Sequence, residues 1–188
     1  WLVFYSIGLL SPVSWHKFFS IIEYLMILLL PTTWLIFALK FSNKINWLTV
    51  RSNLLLAIFP FILFVVSLLD TSSGLLVNHY EIIDTADGIQ SNSQNWSLWF
   101  ILHVLFSLSY FLIGTFLIII AVRKNPQIDY KQGLILKLGV LIPWIGNFTF
   151  IFRIFPNPPV DIAPFVFVLS GVLLSWGLFY NRFYSIIA

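Results

Sequence analysis

The sequence predicts an all-α protein, a polytopic bundle of membrane-crossing helices, and three observations carry that prediction. Of its 188 residues 60% are hydrophobic and 9% charged, with a mean hydropathy of +0.96; charged side chains make up about 25% of an average soluble domain. The apolar residues gather into runs of about 20, the length at which a helix rising 1.5 Å per residue crosses roughly 30 Å of hydrocarbon. Basic and acidic residues alternate between successive ends of those runs, the charge pattern of segments that cross a bilayer back and forth.

Five full spans and part of another are expected. Residues 1–10 read as the far end of a helix that begins upstream, closed by Ser11-Pro12, because proline lacks an N–H and restricts the residue before it. The next span, 15–39, starts near Ser14 and contains Glu23 and Pro31. A loop with Lys44 leads to Arg51 and a span over 51–69 that is interrupted by Pro60. Prolines inside a span free a backbone carbonyl and favour a bend, so Pro31, Pro60 and Pro143 are the expected bending points.

Between Asp70 and Gln94 the chain is polar, with Asp70, Glu81, Asp84 and Asp87 and neither Lys nor Arg. Its middle, residues 74–83, either lies back on the mouth of the bundle or forms a short strand pair. A span over 96–122 opens on Trp96 and Trp99, residues suited to the membrane interface. Arg123 and Lys124 close it, and the turn to Lys131 leads into spans 134–154 and 162–180, which are joined by Phe155-Pro-Asn-Pro-Pro-Val-Asp161.

Orientation follows from the ends of the spans. Lys40, Lys44, Arg51, Arg123, Lys124, Lys131, Lys137 and Arg182 fall on one side with the single acid Asp129; Lys17 and Arg153 face the other with the remaining acids. Positive charge marks the cytoplasmic side. The C-terminus is therefore expected inside, and one further helix upstream completes seven with an external N-terminus.

Polar side chains within the spans are the candidates for function. Glu23 lies about a third of the way in from the outer side, where a carboxylate needs a partner or water; it is either a ligand or proton contact, or a structural, snorkelling acid. His103 is expected to donate an interhelical hydrogen bond. His16 and His79 fall near the same side, yet no HxxxH or HExxH spacing is present, so neither a metal nor a cofactor is expected. Asn53 and Asn147 read as interhelical hydrogen-bonding groups, and Gly171 with Ser175 as a small-residue pair for close packing. No cysteine, phosphate-binding loop or nucleophile motif is present, nor a basic patch suited to nucleic acid. No catalytic residue is expected in this stretch.

Several motifs in order resemble the N-terminal seven-transmembrane sensor region of prokaryotic histidine kinases, a module also found ahead of diguanylate cyclases. They are Trp1-Leu-Val-Phe-Tyr, Glu23-Tyr24, Pro31-Thr-Thr-Trp34, Arg51 with Pro60, Asn78-His79, Tyr130-Lys-Gln132, Gly139-Val-Leu-Ile-Pro143 with Asn147, Asp161-Ile-Ala-Pro164, Ser170-Gly171 and Tyr180-Asn-Arg182-Phe183. Lys137 departs from that pattern. The resemblance implies a fragment of a seven-helix sensor that passes a signal, from an unknown small ligand or the membrane itself, through its last helix to a cytoplasmic kinase or cyclase. It further implies a homodimer formed through that cytoplasmic part. Any pocket is expected in the outer half, from Glu23, His103, Asn147, Arg153 and Asp161 with Trp99 as an apolar wall; Asn78, His79 and Asp161 enter chiefly through the resemblance. The competing reading is a transporter or membrane assembly subunit with a central binding site.

Overall fold

A chain this apolar has to satisfy its backbone polar groups internally, and helices do so within each segment. The structure is a computed structural model that describes residues 2–69, 80–85, 88–93, 98–151 and 162–187. It contains helices α1 (Leu2–Leu10), α2 (Val13–Phe41), α3 (Val50–Leu69), α4 (Leu98–Lys124), α5 (Tyr130–Ile151) and α6 (Ala163–Ile187). Among the described residues three stretches are long and apolar enough to cross a membrane: Ile21–Phe41, Val50–Leu69 and Leu98–Lys124. α6 holds a shorter apolar stretch, Ala163–Phe179, and α5, with 22 residues, is about 33 Å long.

Polarity is distributed inside out. Leu54, Leu55 and Phe61 on α3 and Leu112 and Phe116 on α4 are exposed, whereas Thr32, His103, Thr115, Gln132 and Ser170 are buried. Bare leucine and phenylalanine on this scale suit lipid as the solvent. Several hydroxyls turn back onto their own helices: Thr33 donates to the Leu30 carbonyl, Ser67 to Phe64, Ser109 to Leu105 and Thr149 to Gly146. Each needs no outside partner in hydrocarbon.

Helix ends obey local rules, with some departures from expectation. α2 begins at Val13, with Pro12 in the cap position and no side-chain cap; Ser14 thus lies inside the helix. Its other end is a Schellman motif, in which Lys44 N–H donates to the Leu39 carbonyl and Asn43 N–H to that of Lys40. Asn43 takes the left-handed conformation this requires, at φ 57°. One 3₁₀ turn, Ile45–Trp47, follows.

α5 starts at Tyr130, four residues before the expected span, because the Asp129 carboxylate accepts the Gln132 N–H at 2.7 Å. This is an N-cap, and it adds a full turn to the helix. Asp129→Ala is expected to lower stability by about 1 kcal/mol, measured as a lower thermal midpoint in detergent micelles, with Asp129→Asn, which caps as well, recovering most of it. At the other chain end α6 extends beyond Tyr180 to Ile187.

Two strands lie in the acidic stretch. β1 (Tyr80–Thr85) pairs antiparallel with β2 (Gly88–Ser93), with Tyr80 opposite Ser93 and Thr85 opposite Gly88. Residues 74–79 of the stretch expected to lie on the bundle mouth or to pair lie outside the described residues; the strand pair is found further along, over 80–85 and 88–93.

The chain divides into two compact units inside α4, after Gly114. In the first, Leu28, Leu35, Ala38 and Leu39 of α2 are buried, as are Leu63 of α3 and Phe111 of α4. Contacts between α2 and α4 advance in the same order along both: Tyr24 meets His103, Trp34 meets Phe111, and Trp34 and Ala38 flank Gly114. The two helices are therefore parallel, as helices separated by one return crossing must be. In the second unit α5 and α6 pack closely with Gly139 against Leu174, Gly146 against Ala163 and Gly177 against Leu136. α4 joins this unit through Trp144 Nε1, which donates to Thr115 Oγ1 at 3.1 Å.

Pro31, Pro60 and Pro143 lie inside continuous helices and are buried. Among the described residues the expected packing of Gly171 with Ser175 is not found. A side chain added at Gly171 would meet nothing within 4 Å, and Ser175 is exposed. Small residues do mediate close packing on α6, at Ser170 and Gly177.

Candidate functional site

An imidazole in an apolar bundle needs a hydrogen-bond partner, because an unsatisfied polar group costs more in hydrocarbon than in water. α4 buries His103 at 7% exposure, and α2 supplies the partner. Tyr24 Oη lies 3.4 Å from His103 Nδ1, a long hydrogen bond whose direction depends on the ring tautomer. The two rings meet edge to face, with centroids 5.4 Å apart at 88°. Phe100, one turn earlier on α4, packs its ring 6.2 Å from the imidazole at 78°. An interhelical bond is expected of His103, and Tyr24 is its partner; which of the two donates depends on the ring tautomer.

The other expected site residues are distributed as follows. Glu23 precedes Tyr24 on α2 and is half-buried; Trp99 precedes His103 by one turn on α4 and is half-buried too. Asn147 belongs to the second unit, on α5, and its buried Nδ2 has no hydrogen-bond partner. Arg153 and Asp161 lie outside the described residues, as do Asn78 and His79. Asn53 is exposed at the start of α3, so its side chain is not buried between helices. Among the described residues no three His, Cys, Asp or Glu side chains gather as a metal site would require.

Further unsatisfied polarity lies on the same two helices. Thr32 Oγ1 and Trp34 Nε1 of α2 and Ser107 Oγ of α4 are buried without a hydrogen-bond partner. The Trp34 indole is held by packing alone, against Phe111 at 5.6 Å and the bare backbone of Gly114. α2 and α4 thus combine a hydrogen-bonded Tyr–His contact with polar atoms that retain unused hydrogen-bonding capacity.

One comparison with known proteins is positive. The family described as the N-terminal 7TM region of histidine kinase matches residues 1–187. The chain belongs to this family. No curated protein matches it, and no solved structure does. For this histidine-kinase membrane region the multi-helix apolar architecture is as expected.

Two residues of this region are more important to its structure than their sequence context suggested. Tyr24 was visible only as the neighbour of Glu23, although a tyrosine inside an apolar run was itself the signal that a polar partner lay opposite. Gln132, in an Asp-x-x-Gln sequence that resembles a capping box, instead sends Nε2 to the Gly177 carbonyl of α6 at 2.8 Å.

Proposed function

We propose that this chain is the membrane-embedded sensory domain of a histidine kinase, passing its signal through α6 to a cytoplasmic output domain. The family match over residues 1–187 carries this reading. α6 supports it, because its backbone stays helical through Arg182 to Ile187 and can transmit rotation or translation along its axis. The basic last turns of α2, with Lys40, and α4, with Arg123 and Lys124, support a cytoplasmic location for that end.

The stimulus is a small ligand or a membrane state that acts on the outer half of the bundle. Glu23, Trp99 and His103 are the candidate contacts in the first unit, Asn147 in the second, with Arg153 and Asp161 as further candidates; Tyr24 joins them through its contact with His103. Output requires a dimer formed through the cytoplasmic part.

Two experiments test this. The native reading frame beyond Ala188 should encode a dimerisation helix followed by a phosphoacceptor histidine and ATP-binding domain, or a cyclase; a stop codon there removes the signalling role. In the full-length protein in liposomes, Tyr24→Phe and His103→Ala are each expected to shift basal autophosphorylation by about threefold, the factor matching a typical interhelical hydrogen bond in a bilayer. Wild-type output in both variants excludes the pair from the signal path.

A further inference from the structure

A proline inside a helix leaves one identifiable carbonyl without a donor, that of the residue four positions earlier. For Pro143 this is Gly139. In the structure Ser170 Oγ of α6 donates to the Gly139 carbonyl at 2.6 Å, in a buried contact. Ser170 is 2% exposed and Pro143 is fully buried. Gly139 makes the approach possible, since a Cβ there would lie 2.9 Å from Leu174 Cγ and 3.3 Å from the Leu174 backbone nitrogen.

The geometry assigns Ser170 as the latch of a proline hinge in α5, its hydroxyl replacing the N–H that Pro143 lacks. On the Tyr130 side of the hinge α5 is fastened to α6 again. Gln132 Nε2 donates to the Gly177 carbonyl at 2.8 Å, and Leu136 fills the space left by Gly177. Beyond the hinge Gly146 packs against Ala163, so the Ser170 bond is the contact that couples α5 to α6 at the bend itself. When it opens, the Gly139 carbonyl has no backbone donor to return to, and the bend at Pro143 gains freedom between the Gln132–Gly177 and Gly146–Ala163 contacts on either side of it. This goes beyond the sensory reading and holds whatever the domain senses.

The chain contains no cysteine, so a spin-label pair at Lys131→Cys and Ile145→Cys is unique. Both positions are exposed on α5, about 21 Å apart along the axis, and their distance distribution in nanodiscs reports the bend. Ser170→Ala is expected to raise the minor-distance population about threefold, as loss of one interhelical hydrogen bond predicts, and Ser170→Thr to leave it unchanged. In a Pro143→Ala background, where residue 143 again donates to Gly139, Ser170→Ala should have no effect. An equal change in both backgrounds, or in neither, overturns the latch. Should Ser170→Ala alone fail to fold, a folded Pro143→Ala/Ser170→Ala double variant upholds it, and a double variant that also fails overturns it.

Discussion

Gly114→Val is expected to destabilise the folded protein by about 3 kcal/mol, at the upper end of what overpacking a well-fitted contact costs. Any side chain at this position brings its Cβ to 2.6 Å from both Cδ1 and Nε1 of Trp34, and to 3.4 Å from the Ala38 Cβ. The indole has little room to withdraw, because it is packed against Phe111 at 5.6 Å and Phe37 at 6.2 Å. The cost falls on the parallel α2–α4 contact, which also holds the Tyr24–His103 bond. Thermal unfolding in micelles measures the loss, and Trp34→Leu in the same chain should recover at least half of it. A Gly114→Val protein that melts with the wild type would show that α2 and α4 do not approach this closely.

The second large effect is expected at Gly177. Gly177→Val should cost about 2 kcal/mol, since its Cβ would stand 2.8 Å from Leu136 Cδ2 and 3.3 Å from Ile135 Cγ2. Leu136 is 1% exposed and has no free space to rotate into. The contact is one half of a reciprocal fit, the other being Leu174 against Gly139. Removing the leucine while adding the valine conserves volume, so Gly177→Val/Leu136→Ala should be more stable than the sum of the singles by at least about 1 kcal/mol. Strict additivity would refute the fit. Gly171→Ala serves as the control: with nothing within 4 Å of its Cβ, it should stay within about 0.5 kcal/mol of the wild type.

These two sites separate what could be read along the chain from what could not. The segments from Val50 to Leu69 and from Leu98 to Lys124 were legible as runs because hydrocarbon thickness dictates a minimum apolar length. The extra turn of α5 was legible in principle, since Asp129 and Gln132 occupy the spacing of a helix start; the polar turn before Lys131 hid it. The burial of His103 followed from cost, as a polar ring inside an apolar run has to find a partner. Its pairing with Tyr24 did not, because the two are 79 residues apart.

Gly171 and Ser175 illustrate the failure most directly. Their spacing suits close packing, yet they are exposed, while Ser170 and Gly177 on the same helix carry the contact to α5. In water an amphipathic stripe would have distinguished the two faces. Here the exposed face holds Val168, Val172 and Phe179 and the buried one Leu174, so both are apolar. By itself the sequence determined the membrane class and the order of the helices, because a bilayer acts on a helix chiefly through position along its normal. Only the tertiary structure decided which face of each helix turns inward, and hence the Tyr24–His103 and Ser170–Gly139 contacts, because lipid and neighbouring helix are equally apolar and only close fit and hydrogen bonds tell them apart.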